Sequence, residues 1–163
     1  MIELTPLHEA LVGELRDLYG AEKQLLSSLS HTASTVRTPA MHEMVARLLT
    51  DTSSQLWRLE EAFRMLDEDI SSRHSLGMAR ILDRPKDRRL LPPDFMVAAA
   101  AQQAVHFLCA VHATAAARAR ALEYYGVARL LDASAAEATA AGRGLTMVVA
   151  TTPGAARPAD ARH

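Results

Sequence analysis

The stretch that decides the fold lies at residues 14–26 and reads ELRDLYGAEKQLL. Leucines recur in it at the spacing of an amphipathic helix, and Glu22 has Leu18 four residues before it and Leu25 three residues after it. The spacing predicts that the Glu22 carboxylate lies within or beside the apolar stripe of this helix. Because an unpaired carboxylate is costly there, we expect it to have a partner. Two interpretations stay open: a metal ligand inside a helical bundle, or a boundary glutamate that reaches solvent or pairs with arginine.

Two long helices are predicted in the first half of the chain. Thr5-Pro6 is a typical helix start, an N-cap residue followed by proline, and it opens a helix over about 6–35. Thr38-Pro39 repeats the signal and opens a second helix over about 39–68, in which apolar residues recur every three or four positions. The short link between the two helices predicts that they are antiparallel neighbours.

A crossover and a third helix follow. Residues 69–93 are predicted to form a polar connector that contains one short apolar helix, roughly Leu76 to Leu82. A third long helix starts after Pro92-Pro93-Asp94 and runs to about Tyr125, with Gly126 as its predicted C-terminal stop.

The fourth helix is predicted to start near Val127 and to end or kink at Gly142 and Gly144, since glycine weakens a helix interior. Residues 151–163, rich in proline, alanine and arginine, are predicted to be a disordered tail. Two helix pairs joined by a long crossover are typical of an all-α four-helix bundle, which we place at residues 1–150.

The composition excludes several classes of protein. The chain has 163 residues, of which 49% are hydrophobic, and a net charge of -1, which gives no electrostatic reason to expect a nucleic acid or an anionic membrane as partner. Its one cysteine, Cys109, excludes an intrachain disulfide and fits a reducing, cytoplasmic location. The first residues lack the basic and then apolar layout of a secretory signal, and we expect none. The stretch from Phe95 to Ala117 lacks charged residues, and we interpret it as a buried helix rather than a membrane span.

Several segments resemble the YciE/YciF-like family of ferritin-like proteins, over about residues 7–149. Residues 14–26 match the opening-helix pattern ELxDLYxAEKQLL of that family. The other matching segments are Thr52 to Glu60, Ala99 to Gln102 with His106, Leu130-Leu131, and Leu145-Thr146.

The resemblance implies a ferritin-like bundle, usually a homodimer, that is linked to bacterial stress responses and commonly carries a two-metal carboxylate site. Fifteen of the nineteen carboxylates in this chain precede residue 95. At the family's ligand positions on the third helix stand Val105 and Leu108. The vestigial metal candidates are therefore Glu22, Asp51 and Glu137, which could hold at most one weakly bound ion.

Four other features have two interpretations each. His106, Cys109 and His112 lie on one side of the third helix and form either a metal or haem site or ordinary packed residues. The charged segment from Arg80 to Arg89 docks an acidic partner or phosphate, or is a solvated crossover. The alanines after residue 97 permit close helix approach inside the bundle or across a dimer interface. Trp57 is a candidate anchor of such an interface.

The sequence thus predicts a non-catalytic, dimeric ferritin-like protein with a degenerate metal centre, no catalytic residue, no cofactor, and no nucleic-acid or membrane partner. A protein partner other than a second copy stays open. The alternative is a metal-binding or redox protein that holds iron or manganese at Glu22, Asp51 and Glu137, aided by His106. A third hypothesis is a bundle with a ligand cavity around Val105.

Overall fold

Four long helices and one short helix make up the described part of the chain. The computed structural model describes residues 4–83 and 92–151, and no strand occurs in these ranges. The helices are α1 (Leu4–Thr32), α2 (Pro39–Met65), α3 (Leu76–Leu82), α4 (Pro93–Ala121) and α5 (Tyr125–Thr151). The predicted all-α, ferritin-like four-helix bundle, with a short helix in its crossover, is confirmed.

The long helices pack in a closed ring. α1 contacts α2 and α4, and α5 contacts α2 and α4, so the order around the bundle is α1, α2, α5, α4. The contact between α4 and α5 is the most extensive, and both helices bury alanines, among them Ala104, Ala115 and Ala141. These alanines are packed inside the bundle, where small side chains permit helices to approach closely.

The crossover is fixed to α1 by backbone contact. Arg73 donates its backbone N–H to the carbonyl of Arg16, and the Gln24 side chain bonds both backbone groups of Ser75. Gly20 lies directly beneath, because a Cβ at this position would stand 1.7 Å from the Arg73 carbonyl oxygen. Glycine at this position of the opening motif is thus required by the path of the crossover.

Asp94 joins the first helix pair to α4. Its carboxylate accepts hydrogen bonds from the backbone N–H groups of Arg37 and Thr38 and from the Thr38 hydroxyl. Burial alone raises the pKa of Asp94, but these bonds and the charge of His42 bring the pKa below its ordinary value. The residue expected only to mark the start of α4 therefore also orders the α1–α2 turn.

The predicted helix ends near glycines are wrong. α4 ends at Ala121, Glu123 adopts a positive φ of 63°, and Gly126 lies in the first turn of α5 instead of stopping α4. α5 also continues through Gly142 and Gly144 to Thr151. At Gly144 a Cβ would stand 2.8 Å from the Met44 Cε atom, so this glycine makes room for a core methionine of α2.

α4 is the one described helix that is long and apolar enough to cross a membrane, by length and composition alone. Of its most apolar window, 44% is buried inside the protein, and the core helix of a soluble protein passes the same test. The predicted tail at 151–163 lies outside the described residues, apart from Thr151, the last residue of α5.

Candidate functional site

Glu22 of α1 is fully buried, and its partner is His112 of α4. The Nε2 atom of His112 lies 2.8 Å from Oε1 of Glu22, and both side chains have 0% exposure. The prediction that Glu22 lies in the apolar stripe and has a partner is confirmed. The partner in the structure is an imidazole, not an arginine, and it stands 90 residues further along the chain.

Burial dominates the electrostatics of Glu22. It raises the pKa of the carboxyl above the ordinary value of 4.5, while the hydrogen bond and charge of His112 lower the pKa in part and the charge of Glu137 raises it further. Oε2 of Glu22 and Nδ1 of His112 have no hydrogen-bond partner among the described residues. Each side chain of the pair therefore has one polar atom in a hydrogen bond and one without, inside a low-dielectric environment.

A second pair, Arg58 of α2 and Glu137 of α5, lies at the rim of the same region. The Arg58 guanidinium donates to both oxygens of Glu137, at 2.8 Å from Nη1 and 2.5 Å from Nη2. Gln55 donates to Oε2 of the same carboxylate at 3.3 Å, and Nη1 of Arg58 is 3.5 Å from the Ser134 hydroxyl. This is the bidentate geometry that makes an arginine–carboxylate pair strong.

The pKa of the carboxyl in the Arg58–Glu137 pair shifts in the direction opposite to that of Glu22. The hydrogen bond from Arg58 holds the pKa of Glu137 below 4.5, although partial burial acts against it. The same contact raises the pKa of Arg58. Glu137 is therefore a stable carboxylate whose charge is neutralised by a protein cation.

Asp51, the third metal candidate, lies at the edge of this region. Its pKa is raised, first by burial and then by the charge of Glu137, while Arg47 and Arg58 oppose the shift. The distance from Asp51 Oδ2 to Arg47 Nε is 3.8 Å. We name the whole group the polar core; its members are Glu22, Asp51, Gln55, Arg58, His112, Ser134 and Glu137.

The polar core offers little to a metal ion. Among residues 4–83 and 92–151, no three His, Cys, Asp or Glu side chains converge in a way that could hold one. Arg58 engages both oxygens of Glu137, and His112 engages one oxygen of Glu22. Val105 and Leu108 are buried apolar residues at the positions where the resembled family has acids. The donor set therefore does not fit a two-metal centre, which needs carboxylates from all four helices.

The three residues considered as a His/Cys site face different surroundings. His112 is buried against Glu22, whereas His106 is exposed and lies 3.1 Å from the Gln102 Nε2 atom. The Cys109 sulfur lies 3.2 Å from the Thr139 hydroxyl. The structure does not bring the three into one site, and His106 is not part of the polar core.

Two members of the polar core were not assigned by the sequence. His112 was considered only with His106 and Cys109, because the pairing of α1 with α4 is a tertiary contact. Arg58 stood in the matched segment from Thr52 to Glu60 without a role. Its spacing was the available signal, because Asp51, Gln55 and Arg58 recur every three or four residues and so share one side of α2.

Two surface predictions have different outcomes. Trp57 is 56% exposed on α2, so its side chain is accessible at the surface, as an interface residue requires. Of the charged segment, Arg80 and Asp83 are exposed, and residues 84–89 lie outside the described residues.

Comparisons with known proteins agree on the fold. A family profile described as "Domain of unknown function (DUF892)" matches residues 6–154. YcfI from Rhodopseudomonas palustris, whose description proposes it as a structural protein, superposes with a TM-score of 0.79 at 22% identity, over 91% of this chain and 98% of that one. The Escherichia coli stress protein YciF superposes with a TM-score of 0.76 at 23% identity, over 88% of this chain and 94% of that one. No curated protein matches the sequence.

Proposed function

The chain belongs to the DUF892 family, and from that premise we propose that it is a non-catalytic ferritin-like bundle protein with a role in bacterial stress. The descriptions of two structural relatives, a stress protein and a proposed structural protein, support this role. In this proposal the chain has no catalytic residue and needs no cofactor.

One observation carries the proposal: the Arg58 guanidinium holds both oxygens of Glu137. A metal ion in a carboxylate site would bind these same lone pairs, and it would be repelled by the guanidinium. His112 uses one oxygen of Glu22 in a similar way. In this proposal, protein side chains occupy carboxylate oxygens that metal ions would otherwise bind, and the bundle needs no metal ion to hold it together.

The proposed partners follow from the family resemblance and from charge. We propose a homodimer, as the resemblance to the YciE/YciF-like family implies, that is cytoplasmic and has no nucleic-acid partner and no membrane partner. The net charge of -1 and the single cysteine support this view, as does the burial of part of α4 against α1 and α5. A protein partner in addition to the second copy is compatible with the proposal.

The alternative is a reduced metal site with iron or manganese. The observation that favours it is the pair of unpartnered buried atoms, Oε2 of Glu22 and Nδ1 of His112, in the electrostatic range of Glu137. Such a site would have to displace Arg58 from Glu137, and this makes it the second choice.

Metal analysis of protein purified without a histidine tag decides between the two. We expect substoichiometric iron and manganese by mass spectrometry after incubation with either ion and desalting, and no change for Glu22→Ala. The matched control is Glu9→Ala, an exposed glutamate of the same helix. One ion per chain that is lost in Glu22→Ala but kept in Glu9→Ala would contradict the metal-free proposal.

A further inference from the structure

Three side chains from distant parts of the chain meet at the end of the bundle where α1 begins. His8 lies near the start of α1, Glu68 in the turn that follows α2, and Tyr124 between α4 and α5. Nδ1 of His8 is 3.0 Å from the Tyr124 hydroxyl, and Nε2 of His8 is 3.1 Å from Oε1 of Glu68. We name these three residues the tyrosine relay, and none of them belongs to the polar core.

Two helix ends of the same type place the outer members of the tyrosine relay. Glu68 and Tyr124 each donate their backbone N–H to the carbonyl of the residue five positions earlier, which is the Schellman ending of α2 and of α4. The residue just before each of them has a positive φ, 55° at Asp67 and 63° at Glu123. These two are the non-glycine residues with a positive φ among residues 4–83 and 92–151. Both unfavourable backbone positions therefore directly precede a member of the relay.

The hydrogen bonds of His8 determine which ring nitrogen carries the proton in the neutral imidazole. A carboxylate oxygen can only accept, so the proton lies on Nε2, which donates to Glu68. Nδ1 then has a free lone pair that accepts from the Tyr124 hydroxyl. The Arg16 guanidinium lies 3.5 Å from the second oxygen of Glu68, which limits the rotation of this carboxylate.

This order of groups is that of an activated hydroxyl nucleophile. The hydroxyl of Tyr124 is within hydrogen-bond reach of a base, and the base is oriented by a third group. The side chains of His8 and Glu68 keep 23% and 29% exposure, so a small reagent can approach the relay from solvent. The other histidine–glutamate pair, Glu22 and His112, has 0% exposure and no hydroxyl at the imidazole.

The surroundings of the tyrosine relay favour an acyl donor over a phosphoryl donor. Leu7 and Tyr125, which neighbour relay members in the sequence, are 47% and 62% exposed and offer an apolar surface. A phosphoryl donor needs cations to neutralise its oxygens. The cation that the structure shows at the relay, Arg16, already contacts Glu68.

We propose that Tyr124 is a modification site that takes an acyl group from an activated carboxylic ester, with His8 as the general base and Glu68 as the residue that positions His8. The phenolic oxygen of Tyr124 bonds to the carbonyl carbon of the ester, and its proton passes to Nδ1 of His8. The bond between that carbon and the leaving oxygen breaks, and the leaving group takes the proton from the imidazolium. The products are a tyrosine ester and a free alcohol or phenol.

This inference goes beyond the proposed function and does not depend on the homodimer. One acyl group is transferred per chain, so the modification involves no turnover and is compatible with a non-catalytic protein.

The first test compares the three tyrosines of the chain. Tyr125 is 62% exposed and has no base within hydrogen-bond distance among the described residues. Burial and the hydrogen bond to Glu60 raise the pKa of Tyr19 to about 12, which makes it a poor nucleophile. With p-nitrophenyl acetate at neutral pH, peptide mass spectrometry should show acetylation of Tyr124 at least about tenfold faster than that of Tyr125, and Tyr19 should be slowest. Acetylation of Tyr125 as fast as that of Tyr124 would overturn the proposal.

The second test removes the base. His8→Phe keeps a ring of similar size and should slow the acetylation of Tyr124 by about 100-fold, without changing the rate at Tyr125. The matched control is His31→Phe, an exposed histidine in the last turn of the same helix, which should leave both rates unchanged. Circular dichroism should show equal helix content for all variants.

Glu68→Gln tests the positioning residue. It should slow Tyr124 less than His8→Phe does, because the new amide can also donate to Nε2 and so move the imidazole proton to Nδ1. A rate at Tyr124 that stays at the wild-type value in Glu68→Gln would remove Glu68 from the relay and overturn the proposal in its present form.

A kinetic readout separates a base from a merely structural histidine. Acetylation of Tyr124 in the wild type should be slower in D₂O than in H₂O, because the proton moves to His8 while the ester bond forms. This measurement and the comparison of the tyrosines use the wild type, so they decide even if His8→Phe loses helix content. A folded His8→Phe variant that acetylates Tyr124 at the wild-type rate, or equal rates in the two solvents, contradicts the role of His8.

Discussion

The two carboxyl groups of the polar core that have a partner on another helix, Glu22 and Glu137, differ in their burial and in their hydrogen bonds. Glu22 has 0% exposure and a single hydrogen bond to His112, and one polar atom of each side chain has no partner among the described residues. Glu137 keeps 31% exposure and is held by both arms of Arg58 and by Gln55. The pKa of Glu22 is accordingly raised and that of Glu137 lowered.

This difference teaches which property matters for a carboxylate inside a bundle. A cation with two donors, at a position that water still reaches, keeps Glu137 ionised. A single imidazole in a dry position does not offset the cost of burying Glu22. The comparison predicts unequal costs when either pair is broken.

The largest effect is expected for His112→Leu. It leaves the Glu22 carboxylate buried without its partner, so the free energy of unfolding should fall by about 3–5 kcal/mol. Urea denaturation followed by circular dichroism measures this. The double variant Glu22→Leu/His112→Leu should recover most of the loss, because apolar side chains can replace a buried pair. A double variant as unstable as His112→Leu would show that the pair acts through packing instead of charge.

Arg58→Leu should have a smaller effect. Glu137 loses both strong hydrogen bonds, but solvent and Gln55 still reach it, so we expect a loss of about 1–2 kcal/mol in the free energy of unfolding. Arg143→Leu, at an exposed position of α5, is the matched control and should change stability by less than about 0.5 kcal/mol. If Arg58→Leu lowered the free energy of unfolding as much as His112→Leu does, the contrast between the partly exposed Arg58–Glu137 pair and the buried Glu22–His112 pair would be wrong.

The smallest effects are expected in the pH dependence of stability. Because the folded pKa of Glu137 is lowered, its contribution is present above the ordinary value of 4.5 and is lost as the pH falls through the folded pKa. Because the folded pKa of Glu22 is raised, its contribution is full below 4.5 and declines as the pH rises towards the folded pKa.

Two glutamine variants separate the contributions of Glu137 and Glu22 to the pH dependence of stability. Glu137→Gln should lose stability relative to the wild type mainly above pH 4.5, and Glu22→Gln should gain relative stability with rising pH above the same value. Urea denaturation between about pH 3.5 and 8 gives both curves, a range that brackets the ordinary carboxyl pKa. Parallel curves for Glu22→Gln and the wild type would mean that folding does not raise the pKa of Glu22.

Local patterns predicted the helices well where an apolar stripe was present, but α1 begins at Leu4, so Thr5 lies inside the helix and is not its N-cap. Thr38 accepts a hydrogen bond from the Met41 backbone N–H, as its position before Pro39 indicated, and α3 has the predicted bounds. The predictions failed where a glycine was interpreted by local preference alone. Gly126 and Gly144 are tolerated within α5 because methionines of α2 pack against them, and that contact joins residues far apart in the chain.

The candidate site was predictable only in part, because local patterns do not show which residues of different helices come into contact. The spacing of leucines placed Glu22 in the core, and the scarcity of carboxylates after residue 95 indicated a degenerate metal centre. Neither pattern could name His112 or Arg58 as the partners that take up the carboxylate oxygens.

The sequence by itself determined which elements form, which faces they bury, and that Glu22 needs a partner, because helix periodicity and the cost of a buried charge act over a few residues. The tertiary structure decided the rest. It brought α4 against α1 and α5 against α2, and so paired Glu22 with His112 and Arg58 with Glu137. These pairings depend on how packed helices are rotated and aligned, which side chains from all four helices fix together.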